Sequence, residues 1–156
     1  MRPEDRATAR RQLDKRLNSW RELENQARPP RGWVKAIREA LGMTAAQLAE
    51  RLGVSQPRIF TIEKAETTGS ITLDSLERAA NALDCRLVYA LVPRKPLDQL
   101  VSDRAEIKAK NRLKSASHTM ALEAQGVDEA DESEQLKRLV QQLIEKGGSN
   151  LWEEDA

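Results

Sequence analysis

The stretch Met43–Lys64, MTAAQLAERLGVSQPRIFTIEK, decides the fold. It reads as two short helices joined by a tight turn. Thr44 suits an N-cap because its side-chain oxygen can accept from an orphan backbone N–H, and Gln47 stands three residues on, as in a capping box. Leu48, Ala49 and Leu52 follow at helical spacing. Gly53 falls where the chain must reverse, and glycine tolerates the left-handed conformation of such a C-cap. Val54 fills the corner. Ser55 caps the second helix, and Pro57 sits in its first turn, where a missing N–H costs nothing. Ile59 and Ile62 face inward, which leaves Gln56, Pro57, Arg58, Thr61 and Lys64 facing outward. Phe60 is an odd residue for a helix surface; packing against the neighbouring loop is the favoured reading, contact with a ligand the other.

Before this stretch, Trp33–Leu41 places Trp33, Ile37 and Leu41 on one helical face, and Gly42 ends it. After it, Ala65–Ser70 reads as a polar loop. Thr72 then caps a helix Leu73–Leu83 with Leu73, Leu76, Ala80 and Leu83 on a common face. Cys85–Val92 is rich in β-formers and bounded by Pro93, so it reads as one strand. A single strand cannot satisfy its own backbone groups. The economical partner is the same strand of a second copy across a twofold axis, with Leu87, Val88, Tyr89 and Leu91 at that interface. A buried helix or an irregular segment is the alternative.

Further out, residues 3–27 read as a basic amphipathic helix, with Leu13, Leu17, Trp20 and Leu23 as a narrow apolar stripe. Arg28-Pro29-Pro30-Arg31-Gly32 stops it as a stiff connector, because a proline disfavours helical geometry in the residue before it. Residues 97–125 form a long helical reading. An acidic break, Gly126–Glu132, precedes a helix Glu134–Lys146 with Leu136, Leu139, Val140, Leu143 and Ile144 at ideal spacing. The acidic tail carries Trp152. The expected architecture is therefore mostly α, with one strand paired across a dimer. It divides into 1–32 (basic helix and linker), 33–96 (core) and 97–156 (helical extension). The apolar stripes of that extension, Leu136, Leu139 and Leu143, together with Trp152, suggest a protein partner.

Charge narrows the partners. The net charge of +1 hides a gradient: residues 1–32 carry nine basic and five acidic side chains, residues 127–156 three and nine. The front and middle can approach phosphate; the tail is repelled by it. No apolar run is long enough to span a bilayer, so no membrane is expected. One cysteine, Cys85, allows no internal disulfide, and the chain reads as cytoplasmic. His118 is the single histidine and there is no Gly-rich phosphate loop, so no catalytic residue, metal or cofactor is expected.

The central run resembles the helix-turn-helix of the XRE family, which includes the phage repressors. Thr44, Leu48, Ala49, Gly53, Val54, Ser55, Ile59, Ile62 and Glu63 match the pattern. Ala45 replaces the usual glutamine, and the usual glycine after the second helix is missing, so the loop Ala65–Ser70 can take another path. The resemblance implies double-stranded DNA as partner, bound at an operator. The helix from Gln56 would enter the major groove. There Gln56 would meet adenine or phosphate, Arg58 guanine or phosphate, and Thr61 a thymine methyl. Pro57, Thr44 and Gln47 would lie alongside, with Lys64, Arg31 and Arg28 supplying salt-sensitive affinity. A helical hairpin that binds no nucleic acid is the alternative.

Residues 3–125 as a whole resemble the family called mobile mystery protein A. That resemblance rests on the charged leading helix, Pro30-Arg31-Gly32-Trp33, Ala36–Met43, the repressor-like core and His118–Glu123. It implies a sequence-specific autorepressor and a Fic-domain protein as partner, in a toxin–antitoxin-like module. Thr119-Met120-Ala121-Leu122-Glu123 also resembles the start of the Ser/Thr-x-x-x-Glu-Gly/Asn helix that holds Fic proteins inactive, though Ala124 replaces Gly/Asn. Thr119 and Glu123 would then act on the partner, as an antitoxin that inhibits directly with DNA binding secondary; an ordinary interface helix is the other reading.

Overall fold

The structure is a computed structural model and describes residues 2–25, 27–120, 128–146 and 148–154. Among these residues the chain forms α1 (Pro3–Arg21), α2 (Trp33–Ala40), α3 (Ala45–Leu52), α4 (Gln56–Thr68), α5 (Leu73–Ala82), α6 (Leu97–Met120) and α7 (Glu129–Lys146). Short 3₁₀ turns lie at Glu22–Asn25 and Gly148–Leu151. Two compact units result, one of residues 22–91 and one of residues 1–21 with 92–156. No described helix is long and apolar enough to cross a membrane.

In the unit 22–91, α2 to α5 enclose Val34, Leu48, Ala49, Ile59, Ile62, Ala79 and Leu83. Leu48 of α3 and Ile59 of α4 are fully buried, so the two helices of the quoted stretch meet at its centre. Burying such a side chain contributes about 1.5–3 kcal/mol. The local chemistry is as the sequence implies. Thr44 Oγ1 accepts from Gln47 N at 3.2 Å while Gln47 Oε1 accepts from Thr44 N at 2.8 Å, a complete capping box. Gly53 closes α3 in the left-handed conformation, with φ 68°.

Two expectations for this unit are corrected. The helix from Gln56 does not give way to a loop at Ala65; it continues to Thr68 and stops at Gly69, whose φ is 76°. The polar residues that suggest a loop are satisfied on the helix. Thr67 and Thr68 donate to Glu63 O (2.7 Å) and Lys64 O (3.1 Å), and Glu66 turns inward. The strand over Cys85–Val92 is absent, and no strand occurs among the described residues, so helix is the regular structure of the described fold and Cys85–Val92 is irregular. Asp84, at φ 55°, turns the chain out of α5, and Cys85 N donates to Ala80 O at 2.8 Å. Beyond that point β-propensity has no second strand to pair with, and propensity without a ladder makes no strand. Val88, Tyr89 and Leu91 are left exposed.

In the other unit, α6 and α7 pair around Ala105, Ala109, Leu143 and Leu151. The two alanines, one turn apart and fully buried, let the helices approach closely. The helix read as Glu134–Lys146 begins earlier, at Glu129, because its acidic first turn suits the positive end of the helix dipole. The tail residues 148–154 are docked. Arg104 of α6 donates to Leu151 O (3.0 Å) and Glu153 O (3.1 Å), and the buried Lys108 donates to Asn150 O and Glu153 O. The leading helix stops at Arg21 and packs on α6. Its Asp14 carboxylate accepts from Leu97 N at 2.9 and 3.1 Å and so caps α6, while Arg10 pairs with Asp98 at 2.5 Å.

Gly32 enters α2 at φ 84° and ψ 161°, a region that only glycine occupies readily. A Cβ there would lie 2.7 Å from Glu66 Oε2. Gly32→Ala is expected to cost about 1–3 kcal/mol from the backbone alone, read as a lower urea midpoint; an unchanged midpoint contradicts this account of the entry to α2.

Candidate nucleic-acid interface

The inner face of α4 carries two buried carboxylates as well as Ile59 and Ile62. Glu63 Oε1 accepts from Arg38 Nε at 2.7 Å, with both side chains nearly fully buried. Arg38 Nη1 also donates to Met43 O at 3.0 Å, which ties α2 to the start of α3. Glu66 accepts from Trp33 N at 2.7 Å and Val34 N at 3.0 Å, so a carboxylate of α4 caps α2. Gly32 offers no side chain for that purpose, and the positive end of α2 favours the charge. Arg28 closes the arrangement by donating to Glu66 O (2.6 Å) and Thr67 O (3.0 Å), carbonyls of the last turn of α4.

With its inner face anchored, α4 presents Gln56, Pro57, Arg58, Phe60, Thr61 and Lys64 to solvent. At 100° per residue, Pro57, Thr61 and Lys64 lie opposite the core, with Gln56 and Phe60 on one flank and Arg58 on the other. Thr61 Oγ1 donates to Pro57 O at 3.2 Å, which holds its hydroxyl on the helix and leaves the methyl as its outward feature. Phe60 is 52% exposed and belongs to neither apolar cluster, so the loop-packed placement favoured for it is corrected. The expected loop Ala65–Ser70 is helical through Thr68, so it is not there to receive the ring.

The other expected contacts divide. Thr44 and Gln47 are exposed at the start of α3, where the capping box occupies Thr44 Oγ1 and Gln47 Oε1 and leaves the Gln47 amide NH2 as a donor. Arg28 is engaged with the end of α4, and Arg31 stands 3.7 Å from Glu39 in an exposed pair. In the unit 22–91, Arg38 and Arg51 also have carboxylate partners. Among the described residues of this unit, Arg58, Lys64, Arg78 and Arg86 form neither an ion pair nor a side-chain hydrogen bond, and the first three lie on α4 or on the helix packed beside it. Arg78, on α5, belongs to no motif and could be singled out only once α5 was placed against α4.

Of the residues expected at a dimer interface, Leu87 is half-buried, and Val88, Tyr89 and Leu91 are exposed. Leu87 and Val88, with Trp33, Ile37, Leu76 and Leu83, line an apolar groove of about 480 Å³. Of those expected to meet a protein partner, Leu136, Leu139 and Leu143 belong to the core between α6 and α7, and Trp152 is 55% exposed. Thr119 lies on the last turn of α6, and Glu123 lies outside the described residues.

Residues 34–89 match the family model for Helix-turn-helix domains, HTH_3. The matched range runs from the first turn of α2 past α5, and it contains the buried Arg38–Glu63 pair and the whole exposed face of α4. No curated protein and no solved structure matches the chain. The match supports a DNA-binding regulatory domain of the XRE type, and this domain is not one of an enzyme family.

Glu63→Ala would leave the Arg38 guanidinium buried without its partner, at an expected cost of about 3–5 kcal/mol. The double replacement Arg38→Met, Glu63→Leu removes both charges and is expected to recover most of that loss, both read by urea unfolding. Equal losses in the single and double variants contradict the electrostatic account of how α4 is held.

Proposed function

We propose that the chain is a sequence-specific transcriptional repressor that binds DNA near its own gene through α4. The single observation that carries this reading is the outer face of α4. It combines hydrogen-bonding, apolar and cationic side chains, free of internal ion pairs, on a helix whose inner face is fixed, within a range that matches the helix-turn-helix family. Gln56 presents a donor–acceptor amide suited to the N6/N7 edge of adenine, and the Thr61 methyl suits a thymine. Lys64 meets backbone phosphate and supplies affinity without sequence preference.

A second copy of the chain completes the reading. One recognition helix covers a single half-site, and a twofold pair places two such helices about 34 Å apart along the duplex. Exposed Tyr89 and Leu91 beside the apolar groove are the surface that favours self-association. Self-association through this irregular segment needs no strand ladder. Tyr89→Asp with Leu91→Asp is expected to shift the protein toward monomer in sedimentation velocity; an unaltered distribution removes this segment from the interface.

The regulator is further proposed to be the antitoxin-like partner of a Fic-domain protein. This rests on the resemblance of residues 3–125 to mobile mystery protein A and on a second helical unit that the DNA-binding range does not include. A Fic-domain reading frame beside this one, and co-purification of its product with this chain, test that pairing.

The DNA reading is tested by titrating the protein with a duplex from upstream of its own gene and with a scrambled duplex, across a salt series. Preference for the upstream duplex that persists at moderate salt is expected. Gln56→Ala should then lose about 1–3 kcal/mol on the preferred duplex and little on the scrambled one. Equal binding of both duplexes would overturn sequence-specific recognition.

A further inference from the structure

Beside α4, on the flank away from Phe60, lies a small notch of about 40 Å³ lined by Leu52, Val54, Arg58, Ile62, Ser75 and Arg78. Its floor is apolar: Ile62 is buried, and Leu52 and Val54 are half-buried. Its polar rim comes from two helices, Arg58 of α4 and Ser75 with Arg78 of α5. The rim is cationic and has no acidic counterpart. Asp74 and Glu77 stand on α5 close in sequence to Arg78, and Asp74 is at the (i, i+4) spacing that favours pairing, yet neither forms an ion pair with Arg78 or Arg58. Of the unit's other arginines, Arg28, Arg31, Arg38 and Arg51 are matched to carboxylates or carbonyls, and Arg86, on the apolar groove, is not. Ser75 Oγ accepts from Thr72 Oγ1 at 3.0 Å, which leaves its own hydroxyl proton to donate.

Two guanidinium groups around one small notch repel each other unless an anion lies between them. Their planar forks match the oxygens of a phosphate, and a serine hydroxyl adds a third donor. We propose that this notch binds a phosphodiester of the DNA backbone at the edge of the groove that α4 enters, with Arg58 and Arg78 as its two cationic walls. The inference rests on the DNA reading of α4. It gives Arg58 a positioning contact to the backbone and leaves base selection to the other side chains of α4. It also brings in Arg78 and Ser75, which no sequence motif marks.

The same chemistry would hold free inorganic phosphate, so the test has two arms. In the first, binding to the upstream duplex is measured from low to moderate salt for the wild type, Arg78→Ala, the double variant Arg58→Ala with Arg78→Ala, and Arg86→Ala. Arg86→Ala removes one charge, as Arg78→Ala does, from the apolar groove instead of the notch. Each phosphate contact contributes a slope of about 0.9 in log K against log salt. Removal of the shared phosphate contact is expected to lower the slope by about that amount in the double variant, with part of the drop already in Arg78→Ala. The ratio of upstream to scrambled binding should be retained, and Arg86→Ala should leave the slope nearly unchanged. In the second arm, inorganic phosphate is titrated into the wild type and the double variant by NMR.

An unchanged slope in the double variant, with wild-type DNA binding intact, overturns the notch and leaves the DNA reading standing. A loss of base preference in place of slope assigns the arginines to base readout and also overturns it. Saturable binding of inorganic phosphate that the double variant abolishes, with DNA slopes unaltered, makes the notch a free-anion site and overturns the backbone assignment. Failure of the wild type to bind any duplex overturns both readings. Circular dichroism of each variant separates these outcomes from misfolding.

Discussion

Two carboxylates on the inner face of α4, Glu63 and Glu66, set the geometry on which the candidate interface depends. Apolar burial is non-directional, so Ile59 and Ile62 could be covered with α4 rotated through a range of angles. Hydrogen bonds are directional, and a buried carboxylate left unpaired is costly. Glu63 must therefore meet Arg38, and Glu66 must meet the first N–H groups of α2. Both demands are satisfied in one rotational setting of α4. That setting turns Gln56, Pro57, Thr61 and Lys64 outward. The exposed chemistry is thus positioned by charges that no ligand touches.

Both units solve the same problem at a helix entrance in the same way. α2 follows Gly32 and α6 follows Pro96, and neither residue has a side chain that can cap the free N–H groups. Each helix borrows a carboxylate from elsewhere in its unit. Glu66 of α4 serves α2, and Asp14 of α1 serves α6. Sequence separation between donor and cap is large in both cases. Each contact therefore joins parts of the chain that the local pattern leaves independent.

That division marks how far the sequence could be read. Thr44, Gln47 and Gly53 act within a few residues of themselves, so the cap of α3 and the turn were legible from spacing alone; Ser55 takes the N-cap position of α4, but its side chain makes no capping hydrogen bond. The exposed residues of α4 followed from the positions of Ile59 and Ile62. Glu66 was not legible, since a glutamate among threonines reads as solvated until its partners across the fold are known. It lies where α4 continues past Ala65, with its carboxylate buried against the start of α2. The strand over Cys85–Val92 failed for the complementary reason, because β-propensity describes fit to a sheet that this chain does not supply. Leu136, Leu139 and Leu143 had the right period for a buried stripe, but period says nothing about what covers it; α6 does.

The central claim is that the outer face of α4 meets DNA while the helix stays as its buried charges set it. The most direct measurement is an amide NMR map of the isotope-labelled full chain as the upstream duplex is added. Shifts concentrated over Thr44–Gln47 and Ser55–Lys64, extending to Ser75–Arg78, are expected, with the Arg38–Glu63 contact preserved and the amides of α7 little changed. Shifts centred on α6 and α7 with α4 unmoved, or loss of the Arg38–Glu63 contact on binding, would contradict it.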